Sequence, residues 1–284
     1  MYGKKIVYYT ISLIAILSML LAACQSEPEV VVTEEPVAET EAPAVEAEEP
    51  IVETEEPVVA TEEPVVETPK KVLTLIWTQE FDSLNPLYSN MWFSIVTQQI
   101  WLSWAWEFDQ LNNAFPKLVT EIPSVENGGI SEDGRVITMH LRDDLLWSDG
   151  TPLTAEDFVF TAEMAINPAN TVASTYPYDN IESITAPDPQ TVSITFFEPF
   201  APWLATMWHG VLPAHILRPV YEAEGTIDSA EWNMMPNVGC GPYVLANWES
   251  GSFAQFVRNE NYWGDAPLID EIFGEKDAGE GPNR

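Results

Sequence analysis

An α/β fold is predicted for the chain from residue 72 onward, and three observations predict it. Short β-rich runs alternate with helix-like stretches along the whole segment rather than clustering at one end. The runs "VLTLIW" and "RVITMHL" place apolar residues at every second position, the period of a half-buried strand. "TPLTAEDFVFTAEMAI" instead carries a helix-start residue followed by an apolar face of helical spacing.

In chain order, Leu73, Leu75 and Trp77 alternate with polar neighbours as a first strand, and Asn85-Pro86 breaks the pattern as a turn. "WFSIVTQQIWLSWAWEF" reads as a helix that could bend into a strand at its end. "DQLNNAFPKLV" supplies hairpin-type turn residues, and Asp133-Gly134 a turn before the strand of Ile137, Met139 and Leu141. Ser148 to Pro152 forms a further turn of residues tolerant of unusual backbone angles. Thr154 is the expected N-cap of the next helix, with Glu156 and Asp157 in its first turn, where the helix dipole favours acids. Those acids are expected to cap and to be solvated, not to act as an acid-base pair. Two strands follow around Asp188-Pro189, then a short helix and a proline-limited segment in "PWLATMWHGVLPAHIL". Two more strands meet at Glu249-Ser250-Gly251.

The N-terminus has a different character. Lys4 and Lys5 precede an apolar run from Ile6 to Ala23, and small residues lead into Cys24, the pattern of a secretory leader. A membrane-spanning anchor is the alternative, because the apolar run is near the roughly 18 residues a span needs. From Gln25 to Pro69 there are fifteen Glu and no basic residue, and Pro36, Pro43, Pro50, Pro57 and Pro64 recur at intervals of seven. Proline at each repeat rules out a helical coiled coil. The expectation is a semi-extended acidic tether.

The net charge is -34, and from Lys70 onward 30 acidic residues still face only 9 basic ones. Nucleic acid is therefore excluded as a partner class, since phosphate binding needs clustered Lys and Arg. Only Cys24 and Cys240 are present, so the folded part has no internal disulfide. His140, His209 and His215 match no zinc-ligand spacing, and no metal or cofactor is expected. Trp101, Trp104 and Trp106 are read as core, with a sugar-stacking platform as the alternative. No G-x-S-x-G motif occurs.

Several runs in fixed order carry a resemblance: "SLNPL" at 83–87, "SEDGRVITMHLRDDLLWSDGTPLTAEDFVFTAE", "NIESITAPDPQTVSITF", "PAHIL", "GCGPYVLANWESG" and "RNENYWGDAPLIDEI". In these the chain resembles the extracytoplasmic solute-binding proteins of family 5, the peptide, dipeptide and nickel type that serve ABC importers. Leu21-Ala22-Ala23-Cys24 likewise resembles the lipobox of bacterial lipoproteins. The resemblance implies a periplasmic-binding-protein-like fold (class II, large type) of mixed sheets with flanking helices, of which only the N-terminal part of lobe one is present. It implies residues 1–23 as a leader, Cys24 as the lipidated residue, and 24–71 as the tether. Residues 72–272 form the partial binding domain, with an inserted subdomain at about 97–180, and 273–284 a polar tail.

It further implies a non-enzymatic, monomeric receptor on the outer face of the cell membrane. The receptor captures a peptide or similar small solute for an ABC permease and ATPase complex. The loop after the first strand (Glu80, Phe81, Asp82) and the Gly-Pro-Tyr loop (Gly239, Cys240, Gly241, Tyr243) are the implied ligand contacts. On the residues alone, Glu80 and Asp82 read equally as loop-solvating acids, and Cys240 as a small buried thiol. An exported hydrolase and a structural surface lipoprotein are the competing functions.

Overall fold

The computed structural model describes residues 69–276. The leader, Cys24, nearly all of the acidic tether and residues 277–284 lie outside the described residues.

The strand expected at 72–77 forms β1 (Val72–Trp77). It lies at one edge of a four-stranded sheet with β7 (Tyr243–Glu249), β8 (Phe253–Arg258) and β9 (Glu271–Lys276), in the order β1-β9-β8-β7. β1 and β9 run parallel, while β8 is antiparallel to both its neighbours. A domain boundary after Ile272 is therefore corrected: Phe273 to Lys276 continue β9, held by pairing with Thr74 to Trp77. Gly274 is required there, because a Cβ would sit 2.2 Å from the Trp77 ring.

The second sheet has three strands in the order β4-β6-β5, formed by β4 (Val136–His140), β5 (Ile181–Asp188) and β6 (Thr191–Phe196). Ile137 and Met139 turn inward and His140 outward, as the alternation predicts. A unit ending at residue 180 would leave out β5 and β6, which share the sheet of β4. A hairpin of β2 (Trp106–Phe108) and β3 (Ala114–Pro116) completes the strands.

The long helix read from 92 to 108 is shorter in the structure. Helix α1 (Trp92–Thr97) passes into a single tight turn (Gln98–Ile100), and the chain then extends into β2. Other segments claim the backbone that would continue the helix. Gly241 donates its N–H to Trp101 O at 2.9 Å, and Ala105 donates to Trp208 O.

Helix α2 (Ala155–Ile166) starts where its sequence says, through a capping box of Thr154 and Asp157. Asp157 is buried, however, so it caps without being solvated. One carboxylate oxygen accepts the Thr154 N–H at 2.8 Å. The other accepts the Ala214 N–H at 2.9 Å, at the start of a second helix. After the short helix α3 (Trp203–Thr206), that second helix is α4 (Ala214–Glu224). It occupies the segment that the prolines were expected to limit. Pro213 precedes its first residue, Pro219 lies inside it, and Gly225 ends it at φ +75°.

The core is aromatic. Trp101, Trp106, Trp147 and Trp208 are all but fully buried, and Trp101 stacks on Phe256 with ring centroids 5.6 Å apart. No described helix is long and apolar enough to cross a membrane.

Candidate functional site

The turn Ser148 to Pro152 is scaffold. Gly150 takes φ +87°, and the Asp149 carboxylate accepts the Thr151 N–H at 2.9 Å. Ser148 and Gly239 exchange hydrogen bonds, and Asn261 donates its amide to Ser148 O at 2.9 Å. Three family-like runs, distant in sequence, thus lock together here. Their turn residues build a joint between loops.

The implied ligand residues fall mostly in the interior. Phe81 is 6% exposed and packs edge-on against Trp77, Trp101 and Trp248. Gly239 and Gly241 lie against the Trp101 backbone, where a Cβ would approach Trp101 O to 2.2 Å and Trp101 C to 2.6 Å, respectively. Their glycines serve close packing, not ligand approach. Cys240 is fully buried, its Sγ accepting the Ser103 N–H at 3.3 Å, and burial pushes its thiol up to about 12. It is the small buried cysteine, and inert as a nucleophile. Tyr243 donates its hydroxyl to Ile269 O from a buried position.

Glu80 and Asp82 are tied down too. Glu80 accepts the Gly251 N–H and pairs with Lys276 Nζ at 3.4 Å. Partial burial opposes ionisation of Asp82. Hydrogen bonds from Ser89 Oγ (2.6 Å), Ser94 Oγ (2.7 Å) and the Ser83 N–H outweigh it and lower the pKa. Phe81 and the 239–241 loop thus pack onto Trp101, while Glu80 is half-buried and Asp82 is exposed. Glu80 and Phe81 line a shallow depression beside Trp77, Trp248 and Lys276, and Asp82 stands one layer behind a second cleft, orienting Ser89.

That cleft is the candidate site, and the sequence did not reveal it. It has a volume of about 110 Å³ and opens between three segments of loop and short helix. One runs from Pro86 to Gln98, the second carries Tyr176 and Tyr178, and the third carries Thr206, His209 and Gly210. Buried amides hold the loops. Asn85 is fully buried, its side-chain oxygen accepting the Leu87 N–H and its nitrogen donating to Asn233 Oδ1 at 2.7 Å. Asp228 gathers the hydroxyls of Tyr88 and Thr171 from two of the loops. Gly210 admits the close approach of Pro86, whose Cβ would lie 2.8 Å from a Cβ at 210.

Two features mark this cleft chemically. Gln98 is 1% exposed, and its amide nitrogen has no hydrogen-bond partner among the described residues. His209 lies against the Trp104 ring at 4.5 Å, and burial lowers its pKa, which keeps it neutral at pH 7. Two other depressions, beside Arg218 and beside Arg258, are open and lined by charged residues. Among the described residues no three His, Cys, Asp or Glu side chains gather as a metal site. His140 lies exposed near Thr191, and His215 pairs with Asp149 at 2.8 Å, each apart from His209.

A mixed and an antiparallel sheet thus pack with helices around an aromatic core, and a small cleft opens at the surface. The sequence model described as Bacterial extracellular solute-binding proteins, family 5 Middle matches residues 114–273, and the chain belongs to this family. It is 32% identical over 154 residues to Protein XP55 of Streptomyces lividans, covering 54% of this chain and 26% of that protein. With the probable D,D-dipeptide-binding periplasmic protein DdpA of Escherichia coli it shares 33% identity over 143 residues, 50% of this chain and 27% of DdpA. Among solved structures, NikZ from Campylobacter jejuni in complex with Ni(L-His) superposes with a TM-score of 0.64 at 28% identity. The match covers 74% of this chain and 40% of NikZ. The oligopeptide-binding protein AppA from Bacillus subtilis has the same fold, with a TM-score of 0.63 at 20% identity over 74% of this chain and 41% of AppA. The chain thus spans about a quarter of the curated relatives it matches and about two-fifths of the solved ones. The periplasmic-binding-protein-like fold class is thereby established.

Proposed function

We propose that the protein is the solute-binding component of an ABC importer, capturing a peptide or similar small solute outside the cytoplasmic membrane and delivering it to a permease. The observation that carries the reading is the 110 Å³ cleft, in a family of extracellular solute-binding proteins, with a buried amide that lacks a partner. The volume is below the roughly 300 Å³ at which a pocket encloses a whole drug-sized ligand. It therefore serves as one wall's subsite. Relatives named for a dipeptide, for oligopeptides and for Ni(L-His) leave the solute class to be settled by this chain's own residues.

The burial and raised pKa of Cys240 speak against a hydrolase built on that thiol. Titration calorimetry of the full chain with a mixed di- to pentapeptide library tests the reading. Saturable heat is the expected result, and its absence with every peptide and small solute would overturn it.

Membrane attachment rests on the Leu21-Ala22-Ala23-Cys24 run and the acidic, proline-spaced stretch that follows. In this reading Cys24 carries the lipid, the stretch lifts a monomeric binding domain off the surface, and two or more acyl chains make the anchor stable. Substituting Cys24→Ser and fractionating the cells should move the protein from the membrane to the soluble fraction. Retention at the membrane would refute the anchor.

A further inference from the structure

Resting on the solute-binding reading, we propose that Gln98 determines which group enters the cleft. In this assignment its side-chain amide nitrogen donates to an oxygen of an uncharged group, either an amide carbonyl or a sugar-type hydroxyl.

The hydrogen-bond inventory of the wall points to Gln98. Ser89 spends its hydroxyl proton on Asp82, and Thr206 donates to Pro202 O at 2.9 Å. Asn90 donates to Ala173 O at 3.4 Å, and Ser174 Oγ accepts the Tyr176 N–H at 3.1 Å. Ser174 keeps its hydroxyl proton free, but among the residues lining the cleft only the Gln98 amide nitrogen is both buried and without a partner. A buried donor without an acceptor is costly, and a ligand oxygen that supplies one recovers that cost on binding. Five other buried nitrogens lack partners, but four are indole N–H groups and the fifth is His215 Nδ1, and none of them lines this cleft.

Charge and size limit the occupant. No Asp, Glu, Lys or Arg lines the cleft. A carboxylate entering it would lose hydration and face the Asp82 charge behind Ser89, and an ammonium would lose hydration without a carboxylate at the surface of the cleft to pair with. At about 110 Å³ the space equals a few water molecules, each with a share of roughly 30 Å³ in the liquid. That holds one amide or one hydroxymethyl group, not a whole peptide or disaccharide. Tyr176 and Tyr178 line the same cleft and supply aromatic surface for such a group.

The test is nitrogen-15 NMR on the full chain, with the Gln98 side-chain resonances assigned by their loss in Gln98→Leu. The probes are N-acetylglycine N-methylamide, methyl β-glucoside and sodium acetate. At least one neutral probe should shift the Gln98 amide saturably, and acetate should bind at least tenfold more weakly. Gln98→Leu and Gln98→Glu should each weaken the neutral probe at least tenfold, with backbone spectra otherwise unchanged. A response to the blocked amide marks a peptide source, and a response to the glucoside marks a carbohydrate source. Unchanged neutral-probe affinity in Gln98→Leu, or acetate binding as tightly as the neutral probes, overturns the assignment. If library peptides still bind in that case, the solute-binding reading stands; if nothing binds the wild type, both fall.

Discussion

Gln98 and Trp101 lie on one turn of chain, joined by the Trp101 N–H donating to Gln98 O at 3.0 Å, and they face opposite circumstances. Both are buried, and each has a side-chain nitrogen without a partner. Around Trp101 the space is filled: Phe256 stacks on it, Phe81 meets its edge, and Gly239 and Gly241 press against its backbone. Around Gln98 the space is a cleft. The same defect is sealed in stacked rings in one place and exposed to an incoming molecule in the other. Burial alone therefore does not separate core from site; the missing neighbour does.

The contrast breaks most visibly if Trp101 is not the hub. Trp101→Ala should destabilise the chain by about 4 kcal/mol, the usual cost of emptying a large aromatic position. Gly239→Ala should approach that loss, since its Cβ would lie 2.2 Å from the backbone oxygen of Trp101, a contact that only a backbone shift could relieve. Denaturant unfolding of the purified chain measures both. A Gly239→Ala protein of wild-type stability would mean that the loop is free to move away from Trp101, and the ligand-contact role implied for it would regain support.

Next in size is the link between the helices. Asp157→Ala leaves the Thr154 and Ala214 N–H groups without acceptors, and a loss of about 2 kcal/mol is expected for the lost cap and stranded donors. Its pH signature has a definite sign. Burial raises the folded pKa of Asp157 above its ordinary 3.8, so the folded state holds the proton more tightly than the unfolded state. This contribution favours folding most below pH 3.8 and declines as pH rises through the raised value. Asp82 acts oppositely: its lowered pKa adds stability above 3.8 that is lost as pH falls through the folded value. Midpoints for Asp157→Asn should therefore lose the decline above pH 3.8 and keep the acid loss below it.

The sequence revealed those features whose cause is local. β4 was legible because one face is buried and the period of two shows it, and α2 because Thr154 and Asp157 lie three residues apart. Helix α4 was not: Pro213 and Pro219 are local stop signals, while the carboxylate accepting its first N–H comes from Asp157, 57 residues earlier. The early end of α1 is likewise set by Gly241 and Trp208, far along the chain. The site was hidden for a related reason. Gly239, Gly241, Glu80 and Asp82 were nominated by the family resemblance, and on the residues alone Glu80 and Asp82 read equally as loop-solvating acids. A glutamine amide without a partner is a tertiary absence that no spacing encodes. His209 offered a weak signal, a lone histidine beside Trp208 and Gly210.

The smallest expected stability change sharpens the contrast most. If Gln98 belonged to a satisfied core, replacing it by leucine would cost stability through lost hydrogen bonds. Because its amide nitrogen is buried and unpaired, Gln98→Leu removes a stranded donor at similar volume. Unfolding stability should then stay level or rise by about 1 kcal/mol, within the range assigned to an unmade buried bond. Denaturation curves for wild type and variant, collected without solute and then with saturating neutral probe, separate the cases. Without solute the variant should be at least as stable as wild type. With the probe only the wild type should gain, because a ligand that binds the folded state alone stabilises it in proportion to its occupancy. A variant that loses stability without solute would return Gln98 to the core beside Trp101 and leave the cleft without its reader.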